Sequence, residues 1–133
     1  MKVPFFFARR FVAGEEVCDA LRVARNYEAK NIYTTLDHLG EDVTHKQKAL
    51  VATDIYLHLL DTIKKHKLSA NVSIKLTQLG LTIDKKLAAK NAARIVSDAR
   101  KKGFTVEIDM EGSRYTQETL DIYFGLIKRF DNV

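Results

Sequence analysis

From residue 15 to residue 27, apolar side chains recur as Val17, Ala20, Leu21, Ala24 and Tyr27, the three-and-four spacing that places them on one face of a helix. The period then changes. Residues 31–37 (NIYTTLD) are rich in β-branched and aromatic side chains and read as a strand, closed by the polar loop HLGED, in which Gly40 suits a turn. A long amphipathic helix is expected next, with Ala52, Ile55, Tyr56, Leu59, Leu60 and Ile63 on its apolar side. Thr44 and Gln47 have the spacing of a capping box at its start. The lysines of KKHK lie near its C-terminal end, where the helix dipole favours cations.

The strand and helix alternation then repeats. Residues 71–76 (NVSIKL) read as a second strand, residues 78–80 as a turn, and Asp84 as the opening of a helix that turns Leu87, Ala88, Ala92, Ile95 and Ala99 inward. Residues 104–110 (FTVEIDM) give a third strand, EGSRY its loop, and residues 116–130 a helix with Leu120, Tyr123, Phe124 and Ile127 on one face. Strands separated by whole helices do not pair as hairpins. A parallel sheet with crossover helices is therefore predicted, in either barrel or open doubly wound form. No linker or low-complexity tract interrupts the chain, and the single proline, Pro4, lies outside every element. Asp131, Asn132 and Val133 fall where a fourth strand is expected to begin, so residues 1–133 read as one incomplete domain.

Alternation along the strands brings in candidate chemistry. Leu36 points one way and Thr35 and Asp37 the other; Val72, Ile74 and Leu76 oppose Ser73, Lys75 and Thr77; Val106, Ile108 and Met110 oppose Thr105, Glu107 and Asp109. Simple packing inside a β/α barrel calls for Val, Ile and Leu on the inner face. Here that face is polar. Asp37, Lys75 and Asp109 all fall at or near the C-terminal ends of successive strands, where parallel α/β folds build their sites. A lysine between two carboxylates keeps its charge and offers donors to an anionic group, while the acids can order a polar cofactor. The competing reading is a buried ion-pair network with no further role. Three such residues at equivalent positions strengthen the functional one.

Composition excludes several classes. With 133 residues, 46% hydrophobic and 29% charged, the chain suits a soluble globular unit with a real core. Its single cysteine, Cys18, cannot form an internal disulfide and reads as a small core residue, which suits a cytoplasmic location. The apolar run from Val3 to Ala8 is short and is closed by Arg9 and Arg10, so it is not read as a signal peptide. A Phe-rich, Arg-flanked start can instead touch a membrane surface or pack on another segment. The net charge of +5 raises the question of nucleic acid. Yet Lys64, Lys65, Lys67, Lys85, Lys86 and Lys90 sit in helical stretches interrupted by acids, as solvated outer faces do, and no nucleic acid is expected. His45, His58 and His66 lie on or beside a helix and His38 at the pocket rim; none has metal-ligand spacing, so no metal is expected. Ser73 and Ser113 lack the neighbours of an activated nucleophile, and there is no glycine-rich nucleotide loop.

RRFVAGE (residues 9–15), TLDHLGE (residues 35–41), SIKLTQLGL (residues 73–81) and IDMEGSRYT (residues 108–116) resemble, in order and at suitable intervals, the first third or so of the barrel of bacterial monofunctional proline dehydrogenases. The resemblance covers nearly the whole chain. It implies a partial (β/α)8 barrel, an N-terminal helix followed by three βα units that stops before the fourth strand, in an enzyme that binds FAD and oxidises L-proline to 1-pyrroline-5-carboxylate. Position by position, Lys75 matches the pocket lysine that helps hold the proline carboxylate, and Asp109 the acid beside the flavin. Asp37 matches a first-strand pocket acid, and Glu41 the acid that pairs with a substrate-binding arginine to close the site. A membrane quinone as electron acceptor and pyrroline-5-carboxylate dehydrogenase as pathway partner are implied in the same way. One departure is Gly112, where the family usually has an acid, which is expected to loosen the loop. The later strands and the arginines of the family site have no counterpart here, so these 133 residues alone are expected neither to bind FAD tightly nor to oxidise proline.

Two other readings remain open on the residues themselves. Lys75 could serve as a Schiff-base amine in another β/α-barrel lyase or isomerase. Alternatively, the helix lysines could make a basic anion-binding interaction module.

Overall fold

A computed structural model describes residues 12–133; the apolar run of residues 3–8 and the arginines at 9 and 10 lie outside them. The elements run α1 (Val17–Glu28), β1 (Thr34–Asp37), α2 (Lys46–Lys65), β2 (Ala70–Lys75), α3 (Lys85–Lys102), β3 (Val106–Asp109), a 3-10 turn (Ser113–Tyr115) and α4 (Thr116–Ile127). The strands form one parallel sheet in the order β1-β2-β3. Sequential order with right-handed crossovers puts α2 and α3 on the same side of the sheet, the arrangement of a β/α barrel; a doubly wound sheet reverses direction to cover both faces.

The two faces differ as the alternation requires. Ala70, Val72 and Ile74 of β2 are buried, while Asn71, Ser73 and Lys75 between them are half-buried. Against the apolar face pack Tyr56, Leu60 and Ile63 of α2 and Ala92, Ile95, Val96 and Ala99 of α3, with Val106 of β3 completing the layer. Each of the larger aliphatic side chains contributes about 1.5–3 kcal/mol by leaving water. Asp84 caps α3, its carboxylate accepting from the Leu87 N–H at 3.0 Å. Gly103 ends that helix at φ 84°, the left-handed conformation in which the Phe104 N–H reaches the Ala99 carbonyl at 2.9 Å.

Several local expectations are corrected. β1 begins at Thr34, three residues later than predicted, because Asn31 takes φ 59° and the Ile32 N–H turns back to the Tyr27 carbonyl. The capping box does not form: α2 starts after His45, one residue on, and the Thr44 hydroxyl lies 3.1 Å from the His45 ring nitrogen. Cys18 is exposed. At about 100° per residue it sits roughly 90° from the centre of the Leu21 and Ala24 face. In α4 the buried positions are Thr119, Ile122 and Leu126, whereas Phe124 and Ile127 are exposed. That helix is apolar nearly all round, so periodicity does not choose its inner side. Met110 lies past the end of β3 and is half-exposed.

Candidate functional site

Parallel register decides which polar side chains meet. Asp109 of β3 is the cross-strand partner of Lys75, and Asp37 of β1 that of Ser73, two residues before Lys75 on the same face. The long lysine side chain spans both neighbours. Its Nζ donates to Asp109 Oδ2 at 2.7 Å and to Asp37 Oδ2 at 3.2 Å. The side chain of Lys75 is 19% exposed, against 35% for Asp37 and 49% for Asp109, so the cation is the shielded member. The hydrogen bond to Asp109 raises the lysine pKa above its ordinary value; burial opposes this, and the Asp37 bond and both carboxylate charges reinforce it. A lysine held charged in this way is a poor neutral amine, which counts against the Schiff-base reading. Of the three N–H donors of an ammonium, two engage carboxylates and one is left for a further acceptor.

Tyr56 stands behind this group. It is fully buried on α2, yet its hydroxyl reaches around the end of β1 to donate to Asp37 Oδ1 at 2.9 Å, and it accepts the His38 N–H at 3.2 Å. Burial first, and then the Asp37 charge, push its pKa far upward, so the phenol remains a donor. The periodicity of α2 assigns Tyr56 to the core and says nothing of this bond. The signal that could have found it is general: a buried tyrosine hydroxyl needs a partner.

The loops beyond the strands are tied to one another. Thr77, just past β2, accepts the Asp42 N–H at 3.0 Å and donates its own N–H to Glu111 Oε2 at 2.9 Å; its hydroxyl donates to the other oxygen of Glu111. Gln78 donates to the His38 carbonyl at 3.0 Å, passing where a side chain at residue 40 would stand: a Cβ on Gly40 would lie 2.6 Å from the Gln78 amide nitrogen. Glu41 is not joined to the Lys75 group. It is exposed and lines a shallow cleft of about 420 Å³ with Asp42, Thr77, Glu111 and Arg114. Arg114 stacks over Tyr115 at 4.4 Å and lies 3.5 Å from Asp42. Gly112 has φ −52° and ψ 146°, open to any residue, and a Cβ there meets nothing within 4 Å.

The sequence profile of the family described as proline dehydrogenase matches residues 20–132. The chain belongs to the proline dehydrogenase family. It is 32% identical to proline dehydrogenase 2 and 30% identical to proline dehydrogenase 1 of Bacillus subtilis (strain 168), each over 126 residues. These matches take in 95% of this chain and 42% of the relative, so the chain spans less than half the length of the curated relatives it matches. Proline dehydrogenase of Deinococcus radiodurans is 31% identical, over 92% of this chain and 41% of its own. In structure, the chain resembles proline utilization A (PutA) from Bdellovibrio bacteriovorus, solved inactivated by N-propargylglycine, with TM-score 0.82 and 24% identity over 92% of this chain and 15% of that one. That likeness shows the fold, three βα units of a barrel-like architecture.

Other candidates fare differently. The helix cations are interleaved with acids: Arg94 pairs with Asp54, Lys102 with Asp61 and Asp98, and Lys85 with Asp121. Such pairing disperses the positive charge that a polyanion site concentrates. Among the described residues no group of three or more His, Cys, Asp or Glu is placed to hold a metal ion, and no helix is long and apolar enough to cross a membrane.

Proposed function

We propose that this chain forms the first part of the active site of a FAD-dependent proline dehydrogenase, an enzyme oxidising L-proline to 1-pyrroline-5-carboxylate. The observation that carries the reading is the Asp37–Lys75–Asp109 group at the C-terminal strand ends of a proline dehydrogenase family member. Its donor set suits the substrate: Lys75, ordered by two acids, has one N–H left over for the carboxylate of proline. The set also suits a polar cofactor. Asp109 is half-exposed at the strand end and fixed through one oxygen, which makes it an acceptor positioned by the protein before a ligand arrives. When bound there, a flavin supplies the two-electron acceptor for the oxidation.

What the chain's own residues contribute is orientation and charge. Lys75 binds and aligns the substrate carboxylate; Asp37 and Asp109 keep the lysine charged and in place. Glu41, exposed in the loop after β1, supplies the acid that pairs with a substrate-binding arginine to close the site. A membrane quinone reached by peripheral contact from the cytoplasm as final electron acceptor, and a pyrroline-5-carboxylate dehydrogenase receiving the product, complete the proposal.

The test is proline-dependent dye reduction with added FAD, using the full-length polypeptide that carries these residues and its Lys75→Ala variant. Activity in the parent and its loss in the variant are expected. A well-folded parent that neither binds flavin nor oxidises proline overturns the reading.

A further inference from the structure

A phenylalanine would fill the space of Tyr56 equally well, and a hydroxyl taken out of water costs free energy unless it is hydrogen-bonded. Both hydrogen bonds of this hydroxyl are spent at one place, the end of β1, on the Asp37 carboxylate and the His38 N–H. Asp37 thereby has a different donor on each oxygen: Tyr56 on Oδ1 and Lys75 on Oδ2. A carboxylate held at both oxygens does not rotate, and the lysine it faces is fixed between it and Asp109. The His38 and Tyr56 rings meet edge to face, with centroids 6.2 Å apart and planes at 80°, which further limits the phenol.

We propose that Tyr56 is a positioning residue, reaching from the helix layer to lock Asp37 and so to aim the remaining N–H of Lys75 at a substrate carboxylate. The aiming of a substrate rests on the function proposed above; the locking of the lysine does not. Two readouts separate them. In the full-length polypeptide, Tyr56→Phe keeps the ring and removes the hydroxyl. The order parameter of the Lys75 ammonium, from 15N relaxation of lysine-labelled protein, is expected to fall in this variant while Tm changes little. Affinity for cyclopentanecarboxylate, an analogue without the oxidisable amine, is expected to weaken about tenfold, with a larger change in KM for proline than in kcat. Added to Lys75→Ala, the same substitution is expected to have no further effect on that affinity.

An unchanged Lys75 order parameter in Tyr56→Phe overturns the inference. So does an equal loss of affinity in the presence and absence of Lys75, because the tyrosine would then act by another route. A parent protein that binds no carboxylate and oxidises no proline defeats the function proposed above, and the lysine relaxation still decides the role of Tyr56. If Tyr56→Phe is too unstable to study, Asp37→Asn tests the same link: it must loosen Lys75 in the same way, and a Lys75 equally ordered without the Asp37 charge overturns the inference.

Discussion

Lys75 and Asp109 are cross-strand partners in the β2–β3 pair, and their charged groups meet at 2.7 Å. Adjacent strands of a parallel sheet hold such partners in fixed register, so the contact is set by the backbone and not by chance meeting of long side chains. A hydrogen bond to a charged group is worth about 1.5–3 kcal/mol, roughly a 10- to 150-fold effect on binding. Lys75→Ala in the full-length protein is accordingly expected to lower kcat/KM for proline by that order. Lys75→Arg is not expected to restore it, because a planar fork does not reproduce a compact ammonium between two carboxylates. Steady-state kinetics of the two variants decide the matter, and an Arg variant with parental kcat/KM would remove the geometric argument.

The same contact has a pH signature. The folded-state pKa of Lys75 lies above its ordinary value of 10.5, first through the Asp109 hydrogen bond. The folded state therefore binds the lysine proton more tightly than the unfolded chain does. The stabilisation is fully present below the unfolded value and is lost as pH rises through the higher folded one. Across neutral pH it is constant. Lysine 13C NMR is expected to show Lys75 titrating above the ordinary lysine value, and Lys75→Met is expected to flatten the alkaline fall in stability; titration of Lys75 below 10.5 would contradict the geometry.

Which parts of this site are visible in the sequence follows from the range of the interactions. Strand alternation puts Asp37, Lys75 and Asp109 on one face, and the strand ends bring them to one level, so their meeting is legible from a period of two. Capping of α3 by Asp84 is equally local. The bond from Tyr56 to Asp37 is not, because helix periodicity assigns a face while the partner depends on how α2 passes the end of β1. Thr77 and Glu111 meet only through the parallel register of strands separated by a whole helix. In α4, with Leu120, Ile122, Tyr123, Phe124, Leu126 and Ile127 spread around the axis, packing alone selects Ile122 and Leu126. The start of α2 shows how narrow a margin decides a cap: a shift of one residue leaves Thr44 and Gln47 out of register.

Two loop glycines are expected to resist an added side chain. At Gly40 an added Cβ meets the far end of the Gln78 side chain at 2.6 Å, which can swing away at the cost of its bond to the His38 carbonyl. φ at Gly40 is 159°, so backbone strain of about 1–3 kcal/mol adds to the loss of that bond, about 1 kcal/mol, in Gly40→Ala. At Gly80, φ is 108° and the Cβ would lie 2.8 Å from Leu87 Cδ2, so backbone strain adds to the clash. Gly80→Ala is expected to cost about 1–3 kcal/mol for the strain alone. Denaturant titration of both variants checks this, and an alanine variant as stable as the parent at either position would contradict it.

Gly112 presents the opposite case. Its backbone is in a region open to every residue, a Cβ would touch nothing, and the Tyr115 N–H closes the turn onto its carbonyl at 2.8 Å whatever the side chain. Glycine here adds freedom to the unfolded chain without serving the folded one. Gly112→Ala is expected to stabilise the protein by about 0.4–1 kcal/mol through that entropy alone. Gly112 also stands at the cap position of the 3-10 turn that runs into α4, where an aspartate side chain can accept from the free N–H groups that follow. Gly112→Asp is therefore expected to gain at least as much as Gly112→Ala. Thermal unfolding of the two variants measures both effects, and a loss of stability in Gly112→Ala would mean that the loop takes another conformation in the folded protein.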